Sequence, residues 1–323
     1  MPDGKPPPYR IVDRAGPAAG GDRAEVIAGL LATPATISPK YFYDARGSAL
    51  FEEITRLPEY YPTRTELALF AEHRAEIAAS VGRIAQFVDL GAGDCCKGEA
   101  WLAFLAPARY VAVDLAAPEL DRALSRMAPD FAEVEMVGVV SDFSRGLALD
   151  GVLDERAALF FYPGSSIGNF TPEESVAFLA TVRAHCVGRA GSGLLIGVDG
   201  KKDKGRLDAA YDDALGVTAA FNRNVLLHLN RRFGFDFPLD GFVHRGFYDP
   251  RRGRVEMHLE ALRPCTVRLG EATRSFRAGE RIHTENSYKY TPEEFEDVLR
   301  GAGFERLRRW SSPDRGYHVF HAA

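Results

Sequence analysis

The stretch Phe87-Val88-Asp89-Leu90-Gly91-Ala92-Gly93-Asp94-Cys95-Cys96-Lys97 is an apolar run that breaks into two glycines where a helix should begin. A buried parallel strand needs such a run, and glycine lets the backbone turn sharply and approach a ligand with no side chain in the way. The stretch therefore reads as the first strand-to-helix turn of a nucleotide-type site. It does not complete G-x-G-x-x-G, because Gly98 falls two places beyond the expected third glycine, which disfavours pyrophosphate binding.

Working outward, the pattern predicts strands over 85–90, 109–115, 134–140, 157–162 and 193–199, with helices near 98–106, 118–127 and 172–187. Strands separated by helices indicate an α/β fold with a parallel sheet wound on both faces and ligands at the carboxyl ends of its strands. Asp114 closes the second strand, and Ser141-Asp142-Phe143 follows the third, so both stand in the ligand plane. After Gly200 the rhythm stops, giving a helical block over 204–232 and a strand-rich stretch over 235–281. The first pattern returns at Thr291-Pro292-Glu293-Glu294, which starts a helix to Arg300, followed by short strands over 304–310 and 316–321. Upstream, Lys40-Tyr41-Phe42-Tyr43-Asp44 has the composition of a site wall, and Thr63 with Glu66 reads as a capping box for a helix to about Ser80. Residues 1–21, rich in Pro, Gly and Ala, read as a mobile tail.

A net charge of -5 argues against a nucleic-acid backbone binder, which would concentrate Lys and Arg. Four cysteines form no C-x-x-C pair or disulfide ladder, and the eight histidines no H-x-x-x-H or H-E pair, so no metal is expected. The start Met1-Pro2-Asp3-Gly4-Lys5-Pro6-Pro7-Pro8 has no apolar signal core, and no run is long enough to cross a bilayer. A cytoplasmic protein without membrane partners is expected. With no heptad or large apolar helical face, a monomer is the expected state.

An acidic residue before G-x-G with another ending the next strand resembles the pattern of S-adenosylmethionine (SAM) methyltransferases. SAM has a methionyl end, a ribose diol and an adenine ring. Gly91 and Gly93 permit close backbone approach, Lys97 can pair with the carboxylate, and Asp114 can accept both ribose hydroxyls. Asp142 can accept the adenine amino group, and Phe143 can lie against the ring. The fourth strand runs into Gly164-Ser165-Ser166-Ile167-Gly168-Asn169, a cluster of donors at the same level. It is not G-x-S-x-G with a His and acid partner, so serine-hydrolase chemistry is disfavoured.

These features, with Leu57-Pro58-Glu59-Tyr60-Tyr61-Pro62-Thr63-Arg64-Thr65-Glu66, Ser166-Ile167-Gly168-Asn169, Tyr211-Asp212-Asp213-Ala214-Leu215-Gly216-Val217-Thr218, Phe221-Asn222-Arg223-Asn224, Val255-Glu256-Met257 and Thr284-Glu285-Asn286-Ser287, resemble a family of SAM-dependent amino-acid N-methyltransferases. That family includes the L-histidine Nα-methyltransferases of ergothioneine biosynthesis and fungal tryptophan-derivative N-methyltransferases. The resemblance covers nearly everything after the tail. It implies a Rossmann-like SAM methyltransferase sheet with an inserted α+β substrate-binding domain. The division is then 22–63 and 201–290 for the substrate-binding part, and 64–200 and 291–323 for the SAM-binding part.

The implied reaction is three successive methyl transfers from SAM to the α-amine of L-histidine, giving hercynine. At matching positions the resemblance implies that Asn169 and Tyr211 hold the substrate carboxylate and that Glu285 and Ser287 read the imidazole. Met257 would shape that side, and Tyr43 and Tyr60 would lie near the amine and methyl donor, with Tyr43 the leading candidate to steer the amine. Cys95, Cys96 and Asn286 fall outside the family pattern. The alternatives are the same chemistry on another amino acid, such as tryptophan or a derivative, and a non-catalytic SAM-binding sensor.

Overall fold

Gln86–Leu90 (β3) is buried at every position, as its apolar run requires, and lies inside an eight-stranded sheet. The structure, a computed structural model, describes residues 9–14, 18–143, 146–314 and 316–323. On one side of β3 come Arg109–Asp114 (β4) and Glu135–Val140 (β5); on the other come Ala158–Tyr162 (β6) and Gly193–Asp199 (β7), all parallel. The chain thus reverses its winding direction at β3, which makes the end of that strand the switch point where ligands bind in such sheets. Tyr317–Ala322 (β14) and Leu307–Ser311 (β13) close the β7 side antiparallel.

Alternate residues feed two cores. Val88, Val111 and Val137 face one side, and Phe87, Tyr110 and Met136 the other. Cys96–Leu105 (α4) and Ala117–Met127 (α5) serve one face and Pro172–Cys186 (α6) and Pro292–Gly301 (α9) the other. The helix expected from Thr291 is present with its capping box, Glu294 N donating to the Thr291 hydroxyl.

Two expectations are corrected. The segment read as a tail contains Tyr9–Asp13 (β1), which extends the sheet parallel to β5, from Tyr9 opposite Met136 to Asp13 opposite Val140. Residues 1–8 and 15–17 of that expected tail lie outside the described residues. The helix expected to open with a Thr63–Glu66 box instead starts at Tyr61 and runs to Val81 (α3), with Pro62 in its first turn, where proline is tolerated. Glu66 is then free for a different role.

A second sheet contains Ala35–Thr36 (β2), Phe242–Asp249 (β8), Arg254–Ala261 (β9) and Arg281–Tyr288 (β12), in the order β2-β12-β9-β8. Cys265–Leu269 (β10) and Ala272–Phe276 (β11) form a separate hairpin. Ala18–Leu31 (α1), Ala45–Arg56 (α2), Lys204–Tyr211 (α7) and Val217–Phe233 (α8) accompany this sheet. Leu30, Phe42, Phe221, Leu229, Leu259 and Ile282 meet in a single core, so the early segment and the later block pack as one unit. Each such fully buried side chain contributes roughly 1.5–3 kcal/mol. Among the described residues no helix is long and apolar enough to cross a membrane.

Candidate functional site

The glycine turn is held by β4. Gly91 N and Ala92 N donate to the Val113 carbonyl at 2.8 and 3.1 Å, Gly93 N donates to Asp114 Oδ2 at 2.9 Å, and Ala116 N donates to Asp114 Oδ1 at 2.9 Å. Gly91 and Gly93 have φ of +69° and +53°, the left-handed region that glycine occupies without strain. A Cβ on Gly93 would meet nothing within 4 Å, and one on Gly91 would meet only Phe143 Cζ at 3.8 Å, so the turn presents open backbone beside an aromatic ring. Each Asp114 oxygen accepts one backbone N–H and retains capacity for another donor. Backbone, Asp114 and Phe143 together fit the sugar and base of SAM.

Two expected SAM contacts are already engaged. Lys97 Nζ lies 2.6 Å from Glu66 Oε2. Asp142 Oδ2 is 3.3 Å from Lys40 Nζ, which also reaches Glu25 at 2.9 Å and Asp22 at 3.4 Å. Glu66 is fully buried and also accepts Gly164 N at 2.7 Å and the Tyr317 hydroxyl at 2.6 Å. It reaches them because Gly197 has no side chain: a Cβ there would stand 1.9 Å from Glu66 Oε1. This carboxylate ties α3, the glycine-turn helix and the loop after β6 together. The capping-box spacing concealed it.

A small, partly open cavity lies in the second unit, lined by Tyr43, Tyr60, Tyr211, Phe221, Met257 and Glu285 among others. Its back wall is β9 and β12, which pair antiparallel with a bulge between His283 and Glu285. His283 stands opposite His258, yet Glu285 stands opposite Met257, so the extra residue, Thr284, moves Glu285 to the face opposite His283. Ser287 and Lys289 then follow Glu285 on the inner face. The buried Thr284 hydroxyl shares its one proton between Asn222 Oδ1 at 2.8 Å and the Met257 carbonyl at 3.0 Å. Asn222 also donates to the His258 carbonyl at 3.0 Å, pinning α8 to the bulge. Asn224 donates to Asp44 at 2.7 Å, and Asp44 caps α2, which fixes the loop carrying Tyr43. Asp213 caps α8 by accepting Val217 N and Thr218 N at 3.0 and 2.7 Å.

Burial pushes the Glu285 carboxyl up to about 7, against the pull of Lys289. Among the described residues that carboxylate takes no hydrogen bond or ion pair. The hydroxyls of Tyr43, Tyr60 and Tyr211 are raised well above the ordinary phenol range, first by desolvation and then by neighbouring charges or phenols, Glu285 among them in each case. Tyr43 is 41 % exposed, at the cavity mouth, whereas Tyr60 and Tyr211 are 8 % exposed. Tyr211 Oη lies 2.8 Å from Ser287 Oγ, and Lys289 Nζ donates to both.

The structure therefore gathers Tyr43, Tyr60, Tyr211, Met257 and Glu285 around one cavity, while Ser287 stands behind Tyr211, outside the lining. Asn169, half-buried at the end of the turn Ser166–Asn169, is also outside it. That turn packs on β12: a Cβ on Gly168 would lie 2.8 Å from the Tyr288 carbonyl. On the outer face of β9 and β12, ligating atoms of Glu256, His258 and His283 lie within 4.8 Å of one another, a convergence the sequence spacing did not suggest. Arg252 and Arg254 hold Glu256 Oε1 at 2.9 and 2.6 Å and His258 holds Oε2 at 2.9 Å, which makes the group an ion-pair network that disfavours a cation. Asn286 points to that same outer face, opposite Glu256 and beside His283.

The family described as SAM-dependent, histidine-specific methyltransferases matches residues 22–323. The chain belongs to that family. It is 40% identical over 302 residues to the histidine N-alpha-methyltransferase of Mycolicibacterium smegmatis, covering 92% of each chain. It is 39% identical over 295 residues to the protein of the same name from Mycobacterium tuberculosis, covering 90% of each. It is also 32% identical over 298 residues to ergothioneine biosynthesis protein 1 of Neurospora crassa, covering 88% of this chain but 33% of that longer protein. SAM is accordingly the methyl donor of this fold, and the Rossmann-like sheet is the part that carries the glycine turn.

Proposed function

We propose that this methyltransferase transfers three methyl groups from SAM to the α-amino group of L-histidine, giving hercynine, the first step of ergothioneine biosynthesis. One observation carries the choice of histidine: Glu285, a carboxylate without a hydrogen-bond or ion-pair partner among the described residues, is the one ionised-type group in a cavity lined mainly by phenols and apolar side chains. An imidazole N–H offers that carboxylate a donor, and the charge makes the bond stronger than a neutral pair.

SAM supplies an electrophilic methyl group on a sulfonium. The protein must bind and orient the amine with its lone pair free, and positioning of this kind accounts for much of such catalysis. Phenols whose pKa is raised remain protonated, so Tyr43, Tyr60 and Tyr211 are unavailable as phenolate bases. Tyr43 can still accept a hydrogen bond from the amine and steer it. Each of the three transfers, counted from the ammonium form, releases one proton. Asn169 and Tyr211 would anchor the carboxylate, Glu285 the ring and Met257 the ring's apolar side, while Ser287, outside the lining and hydrogen-bonded to Tyr211, would act through that phenol and not on the ring. Gly91, Gly93, Asp114, Asp142 and Phe143 would hold the donor, and Lys97, with one of its three N–H groups on Glu66, would offer another to the donor's carboxylate.

Mass spectrometry of histidine incubated with protein and SAM should reveal additions of one, two and three methyl groups. No addition to histidine, with methylation of another amino acid across a panel of twenty, would replace this reading.

A further inference from the structure

Lys289 is the most deeply buried cation of the second unit, its side chain 0% exposed, and neither the fold nor the proposed chemistry has used it. Its ammonium has three protons and three acceptors: Asp199 Oδ2 at 3.0 Å, Tyr211 Oη at 2.9 Å and Ser287 Oγ at 2.9 Å. Asp199, also fully buried, is held from the other side by Lys202 and by the Tyr61 hydroxyl at 2.7 Å. Burial pushes the Asp199 carboxyl up, but the two lysines outweigh it and hold it below the ordinary range. Two ammonium groups thus face the one Asp199 carboxylate, and one of them, Lys289, also touches Tyr211.

The hydroxyl protons can be counted. Tyr211 and Ser287 lie 2.8 Å apart and share one proton between them, so of their two protons one is left to point elsewhere. Ser287 is 4 % exposed and outside the cavity lining, whereas Tyr211 lines the cavity, so the remaining proton with somewhere to go belongs to Tyr211. Ser287 then donates to Tyr211, and Tyr211 accepts from both Ser287 and the ammonium. A hydroxyl that accepts from a cation is polarised into a stronger donor.

Resting on the reading of the cavity as an α-amino-acid site, we propose that Lys289 is a positioning residue that aims and polarises the Tyr211 hydroxyl so that the site selects substrates bearing a free α-carboxylate. Glu285 and Ser287 on the inner face of β12, and Lys289 just past its end, stand at alternate positions, roughly 7 Å apart. One short segment thus sets an acid at one end of the cavity and a buried ammonium behind the other, matching a zwitterion with a basic ring.

The test compares kcat/KM for histidine with that for histidinamide, which lacks only the carboxylate charge, in wild type, Lys289→Met and Tyr211→Phe. Wild type should strongly prefer histidine. Lys289→Met should shrink that preference by about tenfold or more, through the KM of histidine rather than kcat, while SAM affinity is retained. Tyr211→Phe keeps the ring and all of Lys289's remaining partners; it should shrink the ratio comparably, and the double variant should lose little more. Equal losses on both substrates in Lys289→Met would mean that the lysine is only structural, overturning the proposal. Should that variant fail to fold, an unchanged ratio in Tyr211→Phe overturns it instead. A wild-type protein inactive on both compounds would remove the α-amino-acid reading itself.

Discussion

The glycine turn and the β9–β12 wall are both walls of binding sites, yet they are built in opposite ways. The turn recognises through backbone and one carboxylate placed by adjacent parallel strands, so its geometry follows from residues close together in sequence. The wall recognises through side chains whose direction depends on a bulge, a helix pin and a buried cation drawn from residues 199 to 289. Local spacing can fix a ligand's common part; its distinguishing part here depends on non-local register.

The two regions should separate in mutants. Glu285→Ala should raise the histidine KM about 10–100-fold by removing a charged hydrogen bond, with the SAM Kd unchanged by calorimetry. Asp114→Ala should do the converse, weakening SAM by about 1–3 kcal/mol while the histidine KM at saturating SAM stays near wild type. Histidine affinity falling as far as SAM affinity would mean that the two walls are not independent.

Asn222→Ala sharpens the comparison by touching the wall's support without touching the cavity lining. It leaves Thr284 without its Oδ1 acceptor, so denaturant unfolding should show a loss of about 1–2 kcal/mol, with a smaller rise in histidine KM than Glu285→Ala produces.

The smallest effect concerns pH. Because burial raises the Glu285 pKa to about 7, its contribution to apo stability is fully present below the unfolded value near 4.5 and is lost as pH rises through 7. Glu285→Gln should therefore flatten this part of the pH dependence, gaining about 1 kcal/mol over wild type at pH 8 relative to pH 4, after allowance for solvent in the open cavity. Denaturation at the two pH values checks the sign.

What could be read in the sequence follows the same division. The apolar run before Gly91, the acid ending β4 and the return after Thr291 are local signals, and each lies close to its expected place. The edge strand Tyr9–Asp13 was hidden by a neighbourhood of Pro and Gly, since five residues pair only because β5 offers a free edge. Glu66 was misread because a Thr-x-x-Glu spacing says nothing of Gly197, more than a hundred residues away, whose missing side chain makes room for the carboxylate. Period-two reading would place Glu285 on the face of His283, and only the bulge reverses it. The roles of Glu285, Tyr211 and Asn169 came from resemblance; Asn222 stood in a resembling motif without a role and Lys289 carried no signal, because their partners are distant in the chain.

The most direct measurement is a crystal structure with histidine and S-adenosylhomocysteine bound together. The imidazole should lie within hydrogen-bond distance, about 2.7–3.2 Å, of a Glu285 oxygen, and the α-carboxylate should meet the Tyr211 hydroxyl. An imidazole bound away from Glu285, with the carboxylate taking its place, would contradict the assignment of the cavity.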